Sequence, residues 1–161
     1  MTIEKDGFKV FDGGAKNAFH SKLQYPASDF SPLTLAFLGD AVWSHLIKGV
    51  LVSENPTVAV GKLHQMATEV ENARAQSFFM EIIKDALTPE EKELARMARN
   101  AFTNNVPKSA KLSEYKRATA FEAILGYHEL CDNSERICEI ASMVFDVICD
   151  DGDGDGGTDK E

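Results

Sequence analysis

"LAFLGDAV", residues 35–42, is an apolar run with one carboxylate set into it. Leu35, Ala36, Phe37, Leu38, Ala41 and Val42 read as core residues, whereas Asp40 in such company needs a partner. An ionised carboxylate withdrawn from water costs several kcal/mol unless it is paired or holds a cation. The run lies inside a longer apolar segment from Leu33 to Leu51, bounded by Ser31-Pro32 and by Asn55-Pro56. Ser31 or Asp29 is placed to cap a helix with Pro32 in its first turn, and Asn55-Pro56 stops it, so the segment predicts a helix to about Ser53. Apolar nearly all round, that helix belongs at the centre of the fold. Its polar residues Asp40, Ser44 and Lys48 recur every fourth position and form one stripe.

Outward from this helix the chain reads as helices joined by short loops, an all-α fold. A second helical region covers about 57–86, with Leu63, Met66, Val70, Ala73, Phe78, Ile82 and Ile83 near helical spacing and room for a break inside it. Thr88-Pro89-Glu90-Glu91 starts a third helix by cap, first-turn proline and acids near the positive helix end, and it runs to about Phe102. "TNNVPKSAK", residues 103–111, carries turn signals. Ser113 opens a fourth helix to about Cys131, and Asp132-Asn133-Ser134 turns into a fifth that ends near Cys149. There is no alternating strand pattern and no internal repeat. Residues 1–30 read as an irregular lead-in, 31–149 as one domain and 150–161 as a disordered acidic tail.

Length and composition agree with a single globular domain: 161 residues, 43% hydrophobic and 27% charged. The Leu33–Leu51 run is interrupted by Asp40, His45 and Lys48, which argues against a membrane span. The N-terminal MTIEKDGFKVFDGG has early acids and no apolar core, unlike a signal peptide. Cys131, Cys138 and Cys149 are odd in number, cluster in one stretch and match no zinc spacing, which points to a reducing compartment, the cytoplasm.

The net charge of −9 conceals a local basic surface. Residues 150–161 hold six acids and one lysine, leaving only −4 on the other 149 residues. Within these, residues 96–117 hold six bases and one acid, a local +5 suited to phosphate, or else an ordinary solvated face. "DGDGDG", residues 151–156, matches the first half of a calcium loop, but its twelfth position would be residue 162. The acidic tail is the simpler reading.

The second informative stretch is "YKRATAFEAILGY", residues 115–127. Phe121, Ile124 and Leu125 form an apolar stripe, with Glu122 beside it in register with Thr119 and Gly126. Two core-like helices thus carry one carboxylate each next to small residues, which permit close packing or leave room for a ligand. Two readings are open on spacing alone. Asp40 and Glu122 could share a hard cation such as Mg2+ across a helix pair, or each could pair with a base such as Lys48 or Arg117.

"LAFLGDAVW", "KLH" (62–64), "RNA" (99–101), "VPK" (106–108) and "YKRATAFEAILGYHEL" (115–130), in this order, resemble the Mini-III ribonucleases. These are the branch of the ribonuclease III family with a catalytic domain and no double-stranded-RNA-binding domain. The resemblance covers residues 31–148. It implies the helical ribonuclease III endonuclease fold, a homodimer, and Mg2+-dependent cleavage of double-stranded RNA that leaves 5′-phosphates and 3′-hydroxyls. It also implies a role in maturation of precursor 23S ribosomal RNA in the bacterial cytoplasm or the plastid stroma. Asp40 and Glu122 match the two signature acids, and so the implied catalytic and metal-binding pair. Full-length ribonuclease III proteins carry further acids one turn before each; here Ala36 and Thr119 stand there, as is usual in the Mini-III branch. Arg99, Asn100, Pro107, Lys108 and Lys116 match basic or loop positions. Arg99, Asn100, Lys108, Lys111 and Lys116 are the candidate RNA-binding residues. Ala101-Phe102-Thr103-Asn104-Asn105 departs from the pattern, where a lysine and a glycine are usual. His45, His64 and His128 read as packing or surface residues, since a metal-activated water needs no histidine nucleophile. The alternatives are a catalytically silent RNA-binding or ribosome-assembly domain of the same fold, or a helical interaction module with salt-bridged carboxylates.

Overall fold

The computed structural model describes residues 3–5, 8–10, 29–101 and 111–150. Among them are six helices: α1 (Pro32–Glu54), α2 (Val60–Glu71), α3 (Ala73–Ile83), α4 (Pro89–Asn100), α5 (Leu112–Leu130) and α6 (Ser134–Asp150). The expected all-α fold holds for the domain. The lead-in is not wholly irregular, however: β1 (Ile3–Lys5) pairs antiparallel with β2 (Phe8–Val10), Ile3 opposite Val10. Asp6-Gly7 stands between them in the sequence, one of the dipeptides that favour a two-residue hairpin loop. Residues 102–110, which include most of the expected 103–111 loop with Pro107 and Lys108, and residues 151–161 of the expected acidic tail lie outside the described residues.

Local chemistry sets the helix ends. The Ser31 hydroxyl accepts the Thr34 amide at 3.2 Å, capping α1 ahead of Pro32. The expected single region at 57–86 is two helices, and Asn72 divides them. Its backbone is extended, its Nδ2 donates to the Thr68 and Glu69 carbonyls of α2, and its Oδ1 accepts the Ala75 amide of α3 at 3.0 Å. One side chain closes one helix and opens the next. Thr88 and Glu91 form a reciprocal capping box at the start of α4.

The core gathers on α1. Trp43 is fully buried, with ring centroids 5.1 Å from Phe121, 5.4 Å from Phe79 and 5.9 Å from Phe145, and its Nε1 donates to the Val70 carbonyl at 3.0 Å. A single indole therefore ties α1 to α2, α3, α5 and α6. By length and composition α1 is apolar enough to cross a membrane, contrary to the expectation from its three polar interruptions. Its Leu35–Trp43–Ile47 face is instead sealed inside the bundle, while Phe37, Val50 and Val52 remain exposed.

α1 and α5 are the central pair, and two glycines let their backbones touch. A Cβ on Gly39 would lie 1.8 Å from the Glu122 carbonyl oxygen, and one on Gly126 would lie 1.9 Å from that of Leu35. No other residue fits at either crossing point without moving a helix. A second lock is ionic. Glu91, 2% exposed, accepts from Arg136 Nε at 2.8 Å and Nη2 at 3.0 Å, and its Oε1 lies 2.7 Å from His128 Nε2, joining α4, α5 and α6.

Candidate active site

The glycine contact places the two signature acids. Asp40 follows Gly39, and Gly39 packs on the backbone of Glu122, so carboxylates 82 residues apart in sequence sit at one helix crossing. The structure corrects the environment expected for Asp40, which is exposed rather than withdrawn from water. Gly39 and Trp43 take the buried positions beside it. The less exposed member of the pair is Glu122, which is half-buried. Burial first, and the Asp40 charge second, push its carboxyl up to about 7, against the opposing pull of the Gln76 amide.

Neither suggested base neutralises the pair. Lys48 turns to Glu71, with Nζ 3.3 Å from Oε1, and also bonds to Ser44, whose hydroxyl donates to the same Glu71 oxygen at 2.7 Å. Arg117 Nε donates to the Ser77 hydroxyl at 2.8 Å and lies 3.7 Å from Glu81. Among the described residues, Asp40 and Glu122 have no ion-pair partner and accept no geometrically sound hydrogen bond. Two adjacent, uncompensated carboxylates repel, and a cation between them removes that repulsion.

The donor set fits one cation and limits which. No cluster of three or more His, Cys, Asp or Glu side chains exists among the described residues. Ala36 is buried and carries no ligand atom, and the Thr119 hydroxyl donates to the Tyr115 carbonyl at 2.9 Å. Two hard oxygen ligands suit Mg2+, which retains waters and commonly takes its remaining ligands from substrate phosphate. The histidines fall as expected: His45 and His64 are exposed, and His128 is held in the Glu91 network.

The basic candidates are scattered over two helix ends. Arg99 and Asn100 are exposed in the last turn of α4, Lys111 is exposed at the N-cap of α5, and Lys116 is half-buried in the following turn. Arg99 and Arg117 converge with Lys84, the residue that follows α3, around Glu81. The Lys84 hydrogen bond outweighs burial and, with the two arginine charges, holds that carboxyl below its usual range. Lys84 escaped the sequence reading because the basic count began at residue 96. Gln76 escaped it as well, although it shares a helical register with the buried Phe79, Met80 and Ile83.

The model of the ribonuclease III domain family matches residues 33–133, from the first turn of α1 to the turn after α5, with both acids inside. The Mini-ribonuclease 3 of Clostridium tetani is 34% identical over 126 residues, 78% of this chain and 83% of that protein. That of a Thermoanaerobacter species is 39% identical over 118 residues, 73% of this chain and 82% of that protein. The chain belongs to the Mini-ribonuclease 3 branch of the ribonuclease III family. A crystal structure of a Fusobacterium nucleatum protein shares the fold, with a TM-score of 0.67 and 35% identity over 73% of this chain and 93% of that one. Membership makes the protein an endoribonuclease, and RNA its substrate. The rival reading as an interaction module is thereby set aside.

Proposed function

We propose that this endoribonuclease cuts double-stranded RNA in a Mg2+-dependent reaction at Asp40 and Glu122, as a homodimer acting on precursor 23S ribosomal RNA. The observation that carries the reading is the convergence of two carboxylates with no base between them among the described residues. Asp40, exposed at the rim, is open to the substrate side, while Glu122 is recessed against α1. A Mg2+ held there would lower the pKa of a bound water and neutralise charge developing on the phosphate and the leaving 3′-oxygen. The two carboxylates hold and orient the reacting centre; water forms the new P–O bond, the bond to the 3′-oxygen breaks, and 5′-phosphate and 3′-hydroxyl ends result.

The duplex is read by shape, through phosphates and 2′-hydroxyls across the minor groove. Arg99, Asn100, Lys108, Lys111 and Lys116 supply the contacts, joined by Lys84 and Arg117. Residues 31–149 form the catalytic unit, working in the cytoplasm or the plastid stroma where ribosomes are made, with 1–30 as lead-in and 150–161 as acidic tail. Phe37 supports the dimer: it is 83% exposed on α1, three residues before Asp40. Trp43, the other aromatic candidate for that contact, is consumed by the chain's own core.

The test is incubation with long double-stranded RNA, in Mg2+ or in chelator. Fragments that appear only with Mg2+ support the reading. Retardation of the RNA without cutting in either condition would replace it with a silent binding domain.

A further inference from the structure

α3 carries a polar side chain that the site so described leaves unused. Gln76 is 1% exposed, on the helix that packs beside α5, and its amide nitrogen has no hydrogen-bond partner among the described residues. The other buried polar side chains are bonded: Ser77 to Arg117, Thr119 to Tyr115, and Glu91 to His128 and Arg136. A buried amide without an acceptor has lost its water and gained nothing in exchange, so some state of the molecule should satisfy it. An acceptor is at hand. Phe79 packs on Phe121 at 5.9 Å and Ser77 bonds to Arg117, so the face of α3 that carries Gln76 lies against α5 beside Glu122, and the Gln76 amide favours the ionised form of that carboxyl without reaching a bond of sound geometry.

We propose that Gln76 is the positioning residue of the cation site: its Nε2–H donates to one oxygen of Glu122 and turns the other toward the cation shared with Asp40. The proposal rests on the reading of Asp40 and Glu122 as that site. Metal-bound carboxylates are commonly held by such a donor, which selects one orientation from several. The need is acute here, because Ala36 and Thr119 bring no further ligands and two carboxylates must define the geometry. The support is rigid: Asn72 caps α3 one turn earlier, and Phe79 is locked against Trp43 and Phe121. An amide also suits the task better than a base. Lysine or arginine at this position would neutralise Glu122 and compete with the cation, whereas glutamine orients it and leaves its charge intact.

The experiment is calorimetric titration of Mn2+ into RNA-free wild type, Gln76→Met and Asp40→Asn. Methionine keeps the length and volume of glutamine without the donor, so the Gln76→Met protein should melt at or above the wild-type temperature. Its Kd for Mn2+ should nevertheless rise at least tenfold. Wild-type affinity in Gln76→Met, with binding lost in Asp40→Asn, overturns the role of Gln76 and leaves the site standing. Binding that is absent from wild type, or unchanged in Asp40→Asn, overturns the site and this role with it. Should Gln76→Met fail to fold, the wild type alone decides. The side-chain NH2 signal of Gln76 in a nitrogen–proton spectrum should move downfield on saturation with Mg2+, and an unmoved signal overturns the proposal.

Discussion

At the scale of single residues, Asp40 and Glu122 are two adjacent acids in different surroundings. Glu122 is partly buried beside a like charge, so the fold prefers its neutral form. The sign of the consequence is definite. With its carboxyl raised from 4.5 to about 7, the cation-free protein gains stability as pH falls below 7 and loses it as pH rises through 7. Glu122→Gln should therefore raise the melting temperature at pH 8 in chelator, by a stability increment of about 1–3 kcal/mol. Saturating Mg2+ should narrow or reverse that difference, because only the wild type is stabilised by binding. Cleavage should fall at least ~100-fold in both Glu122→Gln and Asp40→Asn, with helix content unchanged, if removing a ligand removes the bound water's activation. Full activity in either variant refutes the assignment; melting curves with and without Mg2+ check the rest.

At the scale of elements, Asp40 and Glu122 come together because α1 and α5 touch. Replacing a helical glycine by alanine ordinarily stabilises by about 1 kcal/mol. At Gly39 and Gly126 the opposite is expected, since each new methyl group would meet a backbone carbonyl within 2 Å. Gly39→Ala and Gly126→Ala should each destabilise by about 2–4 kcal/mol, in the range of overpacked cores. They should also weaken Mg2+ binding by parting the two helices. Denaturant midpoints and metal titration measure the two effects separately, and unaltered stability in both variants would mean that the helices do not pack this closely.

Glu91 ties the far ends of α4, α5 and α6. Burial would raise its carboxyl, but the Arg136 guanidinium, the Thr88 amide and His128 outweigh burial and hold it at about 2. A depressed folded value means that the stabilisation is present above 4.5 and is lost as pH falls toward 2. Glu91→Gln should cost about 3 kcal/mol at pH 7 by leaving Arg136 without its buried partner. The cost should shrink as the wild type is taken from pH 4.5 toward 2. Urea titrations of both proteins at pH 7 and pH 3 test this; an equal penalty at the two values rules out the ionic account.

At the scale of the whole molecule, the proposed reaction sets a requirement: one domain with one metal site would cut one strand, whereas a duplex presents two. A twofold pair of chains matches the approximate twofold symmetry of the duplex. Among the described residues Phe37, with four-fifths of its surface in water, is the large apolar side chain most in need of a partner, and Phe37→Glu should reduce the proposed dimer to monomers by light scattering. Mixed dimers of wild-type and tagged Asp40→Asn chains should nick a short duplex in one strand, because Asp40 and Glu122 meet within one chain. A wholly inactive mixed dimer would mean ligands shared or sites coupled across the interface. Two-strand breakage at the wild-type rate would refute the one-site-per-strand account.

Much of this was legible in the amino-acid sequence. Periodicity and caps place the helices within a few residues, because Ser31-Pro32 and Thr88-Pro89 act through bonds to neighbours in the chain. The signature acids are legible too, since each stands against an apolar stripe it does not belong to. What escaped was contact between distant parts. Periodicity left a break in 57–86 open without placing it, because Asn72 settles both helix ends through its own bonds to each. Trp43 and Phe37 look alike in an apolar run, yet one is fully buried and the other 83% exposed, a difference set by which face of α1 meets α5. Lys48 and Arg117 were plausible partners for the acids until Glu71, Ser77 and Glu81 were found to hold them. By itself, then, the sequence determined the helices and the family and singled out the two acids, through local spacing and short motifs. Only the tertiary structure decided that Gly39 and Gly126 bring those acids together, that Glu122 is the recessed one, and that Gln76 waits beside it without a partner. Burial and charge proximity depend on how α1, α3 and α5 pack, and no window along the chain contains that information.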